Sequence, residues 1–317
     1  MPSRKARGRA EETTRDDRAA RRFLIDEPTA HLRGLRRLGA DDIVPVCDDL
    51  DRLRIWLLLV AAELGREGDL DAAAAAFGGL WRAAYARVRI DVHRHRVFSQ
   101  RYPAATFDFE TLTTSAWFLT ALGQRKELDR LAKLVFSTIE PLPSGRLLHN
   151  DPYIQWHVEL LRRRLRVPGG GVPPTIVRSV DDVLKVDGAA AMRRLMKRVV
   201  AERARLRREE SALVAGGIAF ETLAPDVLAC ARWHPGLDEA AIAATGYAPL
   251  DLTLAIASAF RRDPTAVHPV VAAVEPAIER LLEQAAKLEP LAPKGAKEAP
   301  APKRSKKKKT PTRKRPR

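Results

Sequence analysis

Residues 41–65 read DDIVPVCDDLDRLRIWLLLVAAELG. From Ile43 to Leu64 apolar side chains recur every three or four positions, which is the period of an amphipathic helix. The longest unbroken apolar run inside it, Ile55 to Ala62, falls far short of the ~20 residues that cross a bilayer. The stretch therefore reads as a helix with one face on a core, and no membrane partner is expected. It stops at GREGD, residues 65–69, where Gly68 suits a left-handed helix end and Asp69 the N-cap of the next helix.

Working outward, the same period predicts a long helix over Leu70–Phe98, a third from Asp108 as N-cap to Leu122 with Gly123 as its stop, and a fourth over Lys126–Ile139. The turns between these pairs read LGREGDLD from Leu64 and LGQRKELD from Leu122, one frame 58 residues apart. Either a common hairpin turn or a helical repeat of the solenoid sort accounts for that likeness. A fifth helix opens at NDPYIQWHVELLRRRLRV, with Asp151 as N-cap and Pro152 at the first helical position. PGGGVPP, residues 168–174, breaks the chain. Beyond it, helices are expected over Ile176–Val183, Ala189 to about Glu210, Ala212–Trp233, Asp238–Ala244 and Leu250–Arg262. A last one starts at Asp263 and Pro264, and Pro269 and Pro276 should kink or split it.

No run alternates with the period of a strand. The fold class expected is all-α: a helical bundle or a short helical-repeat array. A basic arm (1–22) precedes an N-terminal helical half (23–167). The Gly/Pro loop (168–174), a C-terminal helical half (175–288) and a Lys/Arg/Pro tail (289–317) follow.

With 45% hydrophobic residues the chain is ordinary for a folded body, but its formal charge is +16. The charge sits at the ends. Residues 294–317 carry twelve Lys or Arg against one Glu, and residues 1–22 carry eight against four acids, so residues 23–293 retain only about +1. The tail, with Lys303, Arg304, Lys306, Lys307, Lys308, Lys309, Arg313, Lys314 and Arg315, is a polycation that should bind nucleic-acid phosphates non-specifically and release them with salt. It has no aromatic side chain to stack on a base. A second candidate basic face lies on MRRLMKRVVAERARLRREE, residues 192–210, where Arg194, Lys197, Arg198, Arg205 and Arg208 lie toward one side and Met192, Leu195, Val199 and Leu206 toward another. A solvated helix face has the same pattern. RRRLR, residues 162–166, places cations at a helix end, where the dipole favours them.

Catalytic patterns are scarce. His93 and His95 are two residues apart and point to opposite sides of a helix; Asp91 and His95, four apart, share a face as an ion pair would. His31, His149, His157, His234 and His268 are scattered singly. The acids of DDLD, residues 48–51, and Asp181–Asp182 fall at helix starts or on polar faces, and GGG at 169–171 lacks the Lys-Ser/Thr ending of a phosphate loop. No catalytic set, metal site, cofactor or small-molecule substrate is indicated, and the expectation is a protein that is not an enzyme. Cys47 and Cys230 lie 183 residues apart in apolar helical patterns, as buried free thiols of a reducing compartment do. The basic start runs into EETTRDD and not into an apolar segment, so a cytoplasmic protein is expected.

Residues 216–252 read GGIAFETLAPDVLACARWHPGLDEAAIAATGYAPLDL. A helix carrying Phe220 and Glu221 leads to a Gly236-Leu237-Asp238 connector and then to a Tyr247-Ala-Pro249-Leu-Asp251-Leu252 turn. This order resembles the PoNi-type immunity proteins of bacterial polymorphic-toxin systems. The resemblance implies an α-helical protein that binds and blocks a cognate toxin, a nuclease being one such target, by protein–protein contact. Read physically, Pro249 can open a helix and Asp251 in its first turn complements the dipole. Tyr247 can lay its ring on the preceding helix and seek a buried partner for its hydroxyl. Glu221, in an apolar helix, needs an Arg or turn amides. Beside this reading stand two others: a nucleic-acid-associated accessory protein with a helical interaction body and a polycationic tail, and a helical scaffold.

Overall fold

The computed structural model describes residues 43–98, 107, 109–139, 151–167, 172–208, 222–267 and 269–287. They form helices α1 (Ile43–Arg66), α2 (Leu70–Phe98), α3 (Phe109–Ala121), α4 (Arg125–Thr138), α5 (Pro152–Leu165), α6 (Pro174–Leu184), α7 (Gly188–Arg208), α8 (Pro225–Trp233), α9 (Glu239–Ala243), α10 (Ala248–Arg262) and α11 (Pro269–Lys287), with no strand among the described residues. The chain is an all-α bundle, and no described helix is long and apolar enough to cross a membrane.

α2 is the axis of the bundle. Its Ala-rich first half, LDAAAAAFGG, presents little side-chain bulk, so α1, α3, α4, α10 and α11 all pack against it. The approach is closest at Gly78, where a Cβ would come within 2.7 Å of the Phe260 ring on α10. α3 is buried on nearly every side between α2, α5 and α8. One continuous core runs from Val46 on α1 to Ala285 on α11, so helices before and after residues 168–174 share it.

The turns after α1 and α3 have the same geometry. Asp69 N–H reaches Leu64 O and Gln124 N–H reaches Leu119 O, with Gly68 and Gly123 left-handed. Structurally equivalent residues are thus 55 apart, not the 58 of the sequence frame. Gly65, which the frame aligns with Gly123, lies inside α1 against Leu252 and Ile256. A common hairpin turn accounts for the likeness, and the repeat frame does not hold.

Two expected helices are corrected. The helix over Ala212–Trp233 is interrupted at Leu223 and Ala224, and α8 starts afresh at Pro225, because the proline has no N–H to give to a continuing helix. The last helix starts at Pro269, not Asp263. The Asp263 carboxylate instead accepts from Thr265 N–H, Ala266 N–H and the Thr265 hydroxyl, closing a turn after α10. Pro276 is retained inside α11. Asp151 and Pro152 do open α5, the carboxylate accepting from Tyr153 N–H at 2.8 Å.

Candidate functional site

Residues 222–252 build one corner of the bundle from α8, α9 and α10. α8 is buried at every residue except Arg232, which is half-buried, and it is fastened at both ends. At its N-terminus Asp226, 1% exposed, accepts from the Tyr153 hydroxyl of α5 at 2.7 Å and from Arg203 Nε of α7 at 2.8 Å, while Arg203 Nη2 closes on its second oxygen. The same guanidinium donates to Leu223 O at 3.2 Å and, at 3.4 Å, to the hydroxyl of Tyr247. Burial alone would raise the Asp226 carboxyl; the Arg203 charge and the hydrogen bonds from Arg203 and Tyr153 outweigh it and hold the group below the ordinary carboxylate range. Burial and the neighbouring carboxylate push the Tyr153 phenol well up. His157 lies one turn along α5 with its ring against Trp117, Tyr153 and Trp156. Its Nδ1 donates to Tyr153 O at 2.8 Å, Nε2 has no partner among the described residues, and burial brings the imidazole down to about 4.

At the C-terminus of α8, Arg232 grips Glu239 of α9 with Nε and Nη2 at 2.7 and 3.1 Å, and its Nη1 donates to Thr120 O and Ala121 O at the end of α3. The hydrogen bonds from Arg232 hold the Glu239 carboxyl down against partial burial. Trp233 Nε1 adds a bond to the Thr120 hydroxyl at 2.9 Å.

The residues that carried the sequence resemblance fall into this corner as turn-formers. Gly236 N–H donates to His234 Nδ1 at 3.0 Å, its carbonyl accepts from Gly188 N–H, and a Cβ there would collide with the Asp187 side chain. His234 in turn donates from Nε2 to Val183 O at 3.1 Å, so this turn is stitched to the α6–α7 connection. Leu237 packs on the core, and Asp238 is the N-cap of α9, accepting from Ala241 N–H at 2.7 Å. Tyr247 precedes α10 and stands half-buried with its hydroxyl on Arg203. Pro249 occupies the first turn of α10, where no N–H is needed, and Asp251 is exposed in that turn. Leu252 reaches Gly65 of α1. Phe220 and Glu221 lie outside the described residues, as do the nine tail cations from Lys303 to Arg315.

The candidate basic face of α7 does not stay together. Arg194 is exposed and donates to Asp182 O at 2.7 Å, and Lys197 is exposed, but Arg198 turns inward with its guanidinium 5.0 Å from the Trp156 ring centroid. Burial lowers the Arg198 guanidinium. The side chains of Arg205 and Arg208 are outside the described residues. Cys47 and Cys230 are free and buried, and burial pushes Cys47 up to about 11. Asp91 is engaged by Arg87 at 3.1 Å and Arg94 at 3.6 Å, while burial, opposed by Asp91, lowers half-buried His95. Among the described residues no group of His, Cys, Asp and Glu is placed to hold a metal ion.

Arg203, Asp226 and Tyr153 were not singled out from the sequence. Their signal was nonetheless present. Asp226 interrupts an apolar helix, and Arg203 follows Met192, Leu195 and Val199 at helical spacing on the core side of α7. No protein-family model, no curated protein and no solved structure matches the chain.

Proposed function

We propose that this protein is an immunity protein that neutralises a cognate bacterial toxin in the cytoplasm by protein–protein contact, with no reaction of its own. The observation that supports this reading is the use made of residues 236–252. The residues resembling the PoNi-type motif are spent on turns and caps of the α8–α10 corner. A surface braced in this way suits a protein that works by contact, since little ordering cost remains for association. A nuclease is one class of toxin that such a protein would block.

The test is a pull-down from the native host with the full chain and with residues 23–293, nuclease-treated and washed in high salt. Both forms should retain one small protein in stoichiometric amount. That protein should be toxic when expressed alone and harmless when co-expressed with the full chain. Capture by the full chain only, abolished by nuclease, refutes the reading. It would favour the second one, a nucleic-acid-associated accessory protein, which rests on the twelve cations against one acid in residues 294–317.

A further inference from the structure

Where the ends of α3, α5, α8 and α10 meet the start of α4 and α9, an open groove of about 520 Å³ is lined by six cationic side chains and two carboxylates. The body from residue 23 to 293 is nearly neutral, so this is a local concentration of charge. Arg232 is committed to Glu239 and to carbonyls of α3. Arg261 donates to the Ser258 hydroxyl at 3.1 Å, and the remaining four are different. Arg125, Lys133, Arg164 and Arg166 are exposed, and none has a carboxylate partner among the described residues.

Helix dipoles account for some of these cations and not for others. Arg164 and Arg166 close α5, where positive charge is favoured. Arg125 is the first residue of α4, where a cation is disfavoured, and Lys133 sits in mid-helix, where the dipole gives it nothing. Arg166 is also held left-handed, at φ 55°, the one described non-glycine residue with positive φ. Glycine would hold that position without strain. An arginine held there against backbone preference, with its side chain lining the groove, is strain of the kind that gathers at binding sites.

The character of the walls narrows the ligand. Half-buried Leu165 adds apolar surface, and Glu239 is already taken up by Arg232. Trp233 is 3% exposed with its indole N–H already donated, so its face is closed to a stacked base. Arginine forks match carboxylates and phosphates alike in two-point contact, so the closed Trp233 face and the apolar Leu165 are what favour a peptide.

We infer that this groove receives an acidic segment of a partner protein, carboxylate side chains meeting Arg125, Lys133, Arg164 and Arg166 while an apolar side chain rests on Leu165. The assignment names the kind of partner surface that the immunity reading calls for and rests on that reading for the partner's identity.

The experiment uses full-length chain in which all twelve Lys and Arg of residues 294–317 are changed to Gln, so that the tail contributes no cation. The probe is a fluorescein-labelled oligoglutamate peptide with a central leucine, followed by anisotropy at low salt, with unlabelled oligothymidylate as competitor. Lys133→Glu with Arg164→Glu should weaken peptide binding roughly tenfold or more. Arg166→Gly should also weaken it while unfolding at the same temperature or higher, which separates a binding role from a structural one. Oligothymidylate should not displace the peptide. Unchanged peptide affinity in both groove variants overturns the assignment, and so does displacement by oligothymidylate at equal concentration, which would make the groove a nucleic-acid site. If the peptide occupies the groove but the host pull-down returns no single partner, the immunity reading fails alone; if one partner is returned and the groove variants keep it, the groove assignment fails alone.

Discussion

Replacing Asp226 by alanine leaves Arg203, 7% exposed, charged in the core, and takes the acceptor from the Tyr153 hydroxyl. Removing one partner of a buried ion pair costs about 3–5 kcal/mol, because the remaining charge is uncompensated, whereas an exposed pair is worth about 1 kcal/mol or less. Asp226→Ala should therefore lose about 3–5 kcal/mol in urea unfolding followed by far-ultraviolet circular dichroism. The double variant Asp226→Leu/Arg203→Met removes both charges and should recover part of that loss, short of the other bonds Arg203 makes, among them those to Leu223 O and Tyr247. The sign with pH follows from the same contacts. The folded Asp226 carboxyl lies below its unfolded value, so its contribution is full above the unfolded carboxylate range and vanishes as pH falls through the folded one. A loss below about 1 kcal/mol for the single variant, or a double variant no more stable than the single, refutes the account of a buried and mutually compensated pair.

His157 is held neutral, its value lowered by burial from 6.5 to about 4. The unfolded chain therefore takes up a proton that the folded chain refuses between those values, and stability should fall by about 3 kcal/mol as pH drops through that window. Urea midpoints of wild type and His157→Asn should converge as pH falls; parallel pH profiles would show that the imidazole is not buried neutral. Gly78→Val drives a branched side chain into the Phe260 ring, 2.7 Å from where its Cβ must lie, and should cost about 1–3 kcal/mol in thermal or urea unfolding. Shrinking Phe260 to Leu in the same chain should return part of it. Cys47 and Cys230, both buried with thiols raised by burial, should react with a thiol reagent only after urea is added. Prompt reaction of either in the native protein would mean that its helix opens locally.

The helices were legible because each has its own period and its own punctuation: Gly68, Gly123 and the Asp151–Pro152 pair end or start elements where local chemistry requires it. What was misread was also local. Pro225 and Pro264 were passed over as helix residues, and the shared LGxxx letters hid a three-residue difference in where the left-handed glycine falls. In the candidate site Gly236, Asp238, Tyr247 and Pro249 could be found because turn and cap residues carry their role in their identity. The Asp226–Arg203–Tyr153 network could not, since it joins positions 23 and 73 residues apart and each member reads alone as an ordinary polar residue. The groove is harder still, because its cations come from separate helices and no short sequence window contains more than two of them.

The two ends of α8 connect these observations. Asp226 fixes its first turn to α5 and α7, and Arg232 and Trp233 fix its last to α3 and α9. A hydrophobic pair at the first end would stabilise the fold at least as well as a buried ion pair, but it would not demand one registry of α7 against α8. The hydrogen bonds from Arg203 to Asp226, Leu223 and Tyr247 do demand it. Because α8 is short and buried along nearly its whole length, a constraint on its first turn is transmitted rigidly to its last. That last turn forms the wall of the basic groove through Arg232 and Trp233. The buried network thus reaches the groove through Arg232 and Trp233, whereas the four exposed cations are carried by α4 and the end of α5.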